Sequence, residues 1–559
     1  MCAGGVGQSG RRGFGVGPLT RAQHSILGGA CRWLCLSVAL LTACAAPAPQ
    51  SGGSRLVMAM AQEPASLNPL TMSGPATAVV VPLLYSYLLT LDEHDNLQPD
   101  VAREIPSSVN NGISADGLLV TYHLRHDVTW HDGHPLTARD IVFTFEAIMN
   151  PRNNVVSRSG YDDVARVEAA GQWTVKVHLR QRYAPILSTF LAPNQNYAIL
   201  PAHLLASRAD LNQTPFNASP IGSGPYRVVA WRRGDQLSLR RNIRYYAGPP
   251  AIENVDVKFV ADSTAILNQL RTHEVGMTLV ADPALLAQYR SGSVGRVVRA
   301  GLAGGGQLFF NLANPIVGDV RVRRALVQAV DFGRLVREAT RGAQTYAYAA
   351  RSLFSWGYDP SVTPPPYDPH NAARLLDAAG WRRSAGGIRR RAGRPLALQL
   401  ALTAGNSLAS SVGVLLQQEL TAVGVQLTLH AYTASQLRAP ASQGGPLYGG
   451  RYQLGFIEIY TPADPDSGWL FGCAQFPPNG FNISRYCDPV SERATRAGAS
   501  TYDRALRRRF AKVVQRQVLD ELPVLPLWQQ NSVDIIPPGL RNFRPAEESP
   551  VWNAARWSY

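Results

Sequence analysis

Trp130-His131-Asp132-Gly133-His134-Pro135-Leu136-Thr137-Ala138-Arg139-Asp140-Ile141-Val142-Phe143-Thr144 reads as a turn leading into a capped helix. Asp132-Gly133 supplies the turn: an aspartate side chain can accept from the backbone two residues on, and glycine tolerates a positive φ. Thr137-Ala138-Arg139-Asp140 is a capping box, in which the threonine and the acid satisfy backbone donors that a helix start leaves open. Ile141, Val142, Phe145, Ile148 and Met149 follow at helical spacing, and Asn150-Pro151 stops the run.

Strand-like alternation flanks this unit at 118–124 and 173–179, where Val175, Val177 and Leu179 share one face. Asp319 caps a second predicted helix with Val322, Ala325, Leu326, Ala329 and Val330 on one side. Further helices are predicted at 371–379, closed by Gly380, and 412–423, closed by Gly424, with a strand at 425–430. The mixture predicts an α/β or α+β architecture. At 559 residues the chain exceeds one typical core, so two lobes are expected. The run GLAGGG at 301–306 is the clearest punctuation and precedes a predicted strand at 307–312, so a lobe boundary is placed there.

The N-terminus reads as an export leader. Arg11, Arg12, Arg21 and Arg32 precede an apolar run from Trp33 to Ala43, and no acid lies among them. That run is too short to span a bilayer but suits a signal-peptide core. Leu41-Thr42-Ala43-Cys44 resembles a bacterial lipobox, so residues 1–43 are assigned to a signal peptide and Cys44 to lipidation. Residues 44–54 (CAAPAPQSGGS) read as the flexible tether of a lipid-anchored chain. The mature protein is then extracytoplasmic, on the periplasmic side or the outer cell surface. The Arg11-Arg12 pair also resembles a twin-arginine signal, though it lies far from the apolar core.

The formal net charge is +15, yet Lys176, Lys258 and Lys512 are the only lysines and the arginines are scattered. The basic clusters at 389–394 and 504–509 are short, and the second reads as a solvated helix face, so nucleic acid is not an expected partner. Beyond Cys44 only Cys473 and Cys487 remain, a pair in a chain bound for an oxidising compartment. A disulfide closing this loop is expected, stabilising by roughly 3 kcal/mol. A two-cysteine metal site would lack further ligands nearby. No phosphate loop, Gly-x-Ser-x-Gly elbow or nucleophile with its base is found. The chain is therefore not expected to be an enzyme, and no cofactor is assigned.

The 130–144 segment is very similar to the signature of family 5 extracellular solute-binding proteins, the dipeptide and oligopeptide receptors of ABC importers. Other pieces agree in order: Glu63-Pro64-Ala65-Ser66-Leu67-Asn68-Pro69, Gly222-Ser223-Gly224-Pro225-Tyr226, RVRRALVQAVD at 321–331, the Cys473–Cys487 loop with NISRYC at 482–487, and LPVLPL at 522–527. The resemblance runs from about Arg55 to the C-terminus. It implies a two-lobed periplasmic-binding-protein fold of the large peptide-binding class, type II-like, with a ligand cleft between the lobes. Lobe I would be 55–305, lobe II 306–527, and 528–559 would return to lobe I. The partners implied are a peptide or other small organic solute and a membrane permease with its ATPase. The receptor itself is expected to be a monomer.

The resemblance also implies where the ligand is read. Peptide-binding members place an aspartate, partner of the ligand's α-amine, three residues before an acidic-Pro pair. Asp464-Pro465 is that pair here, and Thr461 stands where the aspartate would be. A threonine cannot neutralise an ammonium. Glu458, Asp464 and Asp466 are therefore candidate ligand acids beside Thr461. Tyr460 and Trp469, with Phe471, are candidate pocket walls. Phe309 and Asn311, and Trp356 with Tyr358, are weaker candidates. His123, His126, His131, His134 and Asp132 cluster in sequence, but 130–135 matches the family's hairpin, so no metal is assigned. The rival expectations are an oligosaccharide or other organic-solute receptor of this fold, and a surface sensor or adhesion protein.

Overall fold

The structure, a computed structural model, describes residues 54–559 apart from 73, 75, 194–196, 282–284, 292–293 and 348–354. The leader, Cys44 and the tether as far as Gly53 lie outside the described residues. No helix among the described residues is long and apolar enough to cross a membrane.

The quoted segment folds as read. The helix Ala138–Met149 starts on a complete capping box, in which the Thr137 N–H donates to Asp140 Oδ2 at 2.8 Å. The other Asp140 oxygen accepts from the Ala202 N–H at 2.8 Å, so the cap also fixes the short helix Ala202–Leu205. Ile141, Thr144 and Ile148 form the buried face, while Val142, Phe145 and Met149 lie at its edge. The His131 ring ties the turn to a second motif: its Nδ1 accepts from the Gly222 N–H at 3.1 Å and its Nε2 donates to the Gly224 carbonyl at 3.1 Å. Burial pushes this imidazole down to about 4, so it stays neutral at pH 7.

A ten-stranded sheet runs through the molecule in the order Gln426–Tyr432, Ala397–Thr403, Leu454–Ile459, Arg296–Phe310, Val524–Ile536, Met277–Thr278, Arg55–Met60, Asn254–Phe259, Gln236–Arg241, Tyr226–Arg232. Its two largest hydrophobic cores lie on it, with smaller clusters beside them. One gathers Leu56, Met58, Trp130, Ile141, Tyr226 and Val255 with Ile536, Leu540 and Trp557 from the end of the chain. The other gathers Leu308, Phe310, Val322, Leu326, Leu400, Leu416 and Leu525. Arg296–Phe310 and Val524–Ile536 pair antiparallel and are the strands that serve both.

The glycine run is therefore not a loop between lobes. Gly301–Gly306 lies inside the strand Arg296–Phe310, and the register shifts there, from Gly301 opposite Asn531 to Gly305 opposite Gln529. Close approach explains the glycines. A methyl group at Gly305 would stand 1.9 Å from the Trp528 carbonyl oxygen, and one at Gly306 would lie 2.5 Å from the Trp528 ring.

The other sequence-read helices form with moved ends. They run Val320–Gln328 on an Asp319 cap, Pro369–Ala378 on Asp368, and Ser407–Ala422 on Asn406. Side chains and backbone from the two cores meet directly. The Ser188 hydroxyl donates to Asp464 Oδ2 at 3.2 Å, the Ala184 N–H to the Ala499 carbonyl at 2.7 Å, and Arg504 to Asn96 Oδ1 at 3.1 Å.

Candidate functional site

Leu454–Ile459 runs antiparallel to Arg296–Phe310, with Ile459 opposite Gly305, so residues 460–466 emerge where the paired strands pass between the cores. Thr461 on this loop is 1% exposed, and its hydroxyl has no hydrogen-bond partner among the described residues. Tyr460 is 46% exposed, and its hydroxyl donates to Glu548 Oε2. The other Glu548 oxygen accepts from the Ala463 N–H at 2.8 Å. Glu548 is itself buried, and burial, with the Asp95 carboxylate adding to it, pushes its carboxyl up to about 8.

The segment that carries Glu548 is held on the glycine run. The Glu547 carbonyl accepts from the Ala303 N–H at 3.2 Å, and its side chain accepts from Gln529 at 2.7 Å. Sequence reading missed Glu548. It lies 85 residues beyond Ala463, in a stretch with no motif, and only the fold brings it to Thr461.

Asp464 is paired inside the protein rather than left open to a ligand. Its two oxygens take both terminal nitrogens of Arg507, and the two side chains are 7% and 9% exposed. The rest of 504–509 is exposed, as read from the sequence; Arg507 alone turns inward, and the Arg504 guanidinium lies 4.8 Å over the Trp356 ring. Asp466 caps Gly468, its Oδ1 accepting that N–H at 3.0 Å. Burial and the neighbouring Asp464 push it up to about 6. A half-open pocket beside Asp466, Thr495 and Arg507 has only about 20 Å³, enough for a water. Glu458 shares the strand face of Phe456 and accepts from Asn406 at 3.5 Å; burial raises its carboxyl.

The aromatic candidates divide. Phe471 and Phe309 are 1% and 0% exposed and belong to a core cluster with Ile457, Leu470 and Val518, so they are packing residues rather than pocket walls. Trp469 and Tyr358 are partly buried against the same cluster, and Trp469 tilts onto Phe481. Asn311 spends its amide on the Gly450 and Tyr452 carbonyls, both at 2.9 Å, which makes it a loop staple. Cys473 and Cys487 are joined in a disulfide with Cα atoms 4.8 Å apart.

The histidines disperse. His126 stacks on Trp173, and His131 is spent on the 222–224 turn. His134 and the unforeseen His203 both reach the Asp132 carboxylate at the surface, and the three ligand-type atoms lie within 4.8 Å of one another.

A two-core α/β molecule crossed by paired strands, with a polar loop at the crossing, has the two-lobed architecture of periplasmic binding proteins. Comparison makes the class specific: residues 96–476 match the family described as bacterial extracellular solute-binding proteins, family 5 Middle. The chain belongs to this family, whose members serve ABC transporters. It is 27% identical over 486 residues to Protein XP55 of Streptomyces lividans, covering 86% of this chain and 85% of that one. It is 25% identical over 515 residues to the oligopeptide-binding protein AppA of Bacillus subtilis, covering 91% and 92%. The structure of NikZ from Campylobacter jejuni in complex with Ni(L-His) superposes with a TM-score of 0.73 at 26% identity, over 91% of this chain and 100% of that one.

Proposed function

We propose that this chain captures a peptide or peptide-like solute between its two cores and hands it to a membrane permease powered by an ATPase. In this reading it catalyses no reaction, works as a monomer and is held to the membrane by lipid on Cys44. Lobe I is taken as 55–305 with 528–559, and lobe II as 306–527. One observation carries the ligand assignment: the near full-length likeness to a relative named as an oligopeptide-binding protein. The strand crossing supports hinge closure, because only two long strands need flex for the contacts between Ser188 and Asp464 or Ala184 and Ala499 to open.

A second reading has its own observation. Thr461, buried and unpaired, replaces the acid that would meet an ammonium. That favours an oligosaccharide, a blocked peptide or another organic solute, and the NikZ complex is an example of a different cargo on this fold. A thermal-shift screen of residues 54–559 against peptides, N-acetylated peptides and oligosaccharides separates the readings. Ligand at 100 times its Kd stabilises by about 2.7 kcal/mol. Shifts with peptides support the proposal; shifts with sugars alone replace it.

A further inference from the structure

A buried carboxyl needs a cation or a full set of donors, because leaving it without them costs several kcal/mol. Glu548 has two donors, the Tyr460 hydroxyl and the Ala463 N–H. Among the described residues no arginine, lysine or histidine pairs with it, and the charged group felt there is another acid, Asp95. Close by are two buried hydroxyls that lack partners among the described residues. Thr461 Oγ1 sits on the loop between the two donors to Glu548, and the Tyr87 phenol, 3% exposed, is pushed upward by burial first and then by the Asp100 and Glu548 charges. The group is thus rich in acceptors and poor in positive charge. It stands at the strand crossing, where a ligand enclosed between the cores would lie.

We propose that Glu548, delivered from the C-terminal return segment, is the acid that pairs with the ligand's ammonium, with the Thr461 and Tyr87 hydroxyls accepting its remaining N–H bonds. This rests on the solute-receptor reading and deepens it. The acid function absent from position 461 is supplied by another element against the same loop. The three acceptors match the three donors of a primary ammonium. Binding then moves Glu548 from its neutral to its charged form, and the released proton goes to the buffer.

The test uses residues 54–559, wild type and Glu548→Gln, in calorimetric titrations at pH 7. The probes are a free-amine peptide, its N-acetylated form, and non-peptide primary amines. The glutamine can keep one side-chain oxygen for the Ala463 N–H and has no charge to bury, so E548Q is expected to unfold at or above the wild-type urea midpoint. In the wild type, N-acetylation should weaken binding at least tenfold, and titrations in buffers of different ionisation enthalpy should show nearly one proton released. In E548Q the free peptide should bind at least tenfold more weakly, acetylation should cost little more, and the proton release should vanish. Equal discrimination by E548Q and wild type overturns the inference. So does a wild type indifferent to acetylation, although peptide binding itself would then stand. Binding of a non-peptide amine that depends on Glu548, with no peptide bound, would keep the inference and remove the peptide assignment. No binding of any amine removes both.

Discussion

Replacing Asp464 by asparagine separates a structural acid from a ligand acid. The asparagine keeps the shape of the side chain and loses the charge. Arg507 then retains a buried guanidinium whose remaining partners are the Gly498 carbonyl at 3.1 Å and the Trp356 ring at 5.3 Å. Removing one member of a buried pair costs about 3–5 kcal/mol. One neighbour reduces the cost in a pH-dependent way. Asp466 is held up at about 6 by burial first and by the Asp464 charge second, so in D464N it ionises more readily and Arg507 draws its carboxylate. The loss should lie near the bottom of that range at pH 7.5 and near the top at pH 5. For a urea slope of about 3 kcal/mol/M, 3 kcal/mol moves the unfolding midpoint by about 1 M. The double variant D464N/R507M, which removes both members of the pair, should recover most of the loss at pH 5, where Asp466 stays neutral. A D464N protein that unfolds with the wild type but loses ligand affinity would refute the assignment and return Asp464 to the binding site.

Three further outcomes are expected. Gly305→Ala places a methyl 1.9 Å from the Trp528 carbonyl oxygen, so the crossing strands must part; a cost of about 1–3 kcal/mol should appear as a lower thermal midpoint, and an unchanged midpoint would mean that the strands are not tightly paired there. Replacing Cys473 and Cys487 by serine should cost about 3 kcal/mol, read by urea unfolding with and without reductant. His131 has its folded pKa lowered to about 4, so between there and its unfolded value near 6.5 the unfolded chain binds more protons. Stability from this group is full above that window and is lost as pH falls through it, by up to about 3 kcal/mol; His131→Asn should flatten the slope, and an identical slope in the variant would assign the acid sensitivity elsewhere.

What could be read from the chain follows from how local the cause is. The helix at Ala138–Met149 was legible because its cap, its apolar spacing and its stop lie within fifteen residues. Helix starts such as Ser407 were set too late in the sequence because Asn406 is a cap only once its side chain is seen accepting from the Ala409 N–H. The glycine run was legible as unusual but not as a strand. Its cause is the Trp528 ring, more than 200 positions away, and glycines at a close approach look the same in sequence as glycines in a linker. Asp464 misled for a similar reason. An acid beside a proline carries no mark of whether it meets a ligand or Arg507. Glu548 was invisible because its surroundings, Pro545-Ala546-Glu547-Glu548-Ser549, read as a polar tail until the return segment folds onto the crossing.

The central claim is that this family 5 chain encloses a peptide-like ligand at the strand crossing, and a calorimetric isotherm of residues 54–559 with a short free-amine peptide tests it most directly. The account predicts saturation at one peptide per chain with a negative heat-capacity change from apolar surface closing over the ligand. Saturable binding of an oligosaccharide, with no heat from any peptide, would contradict it.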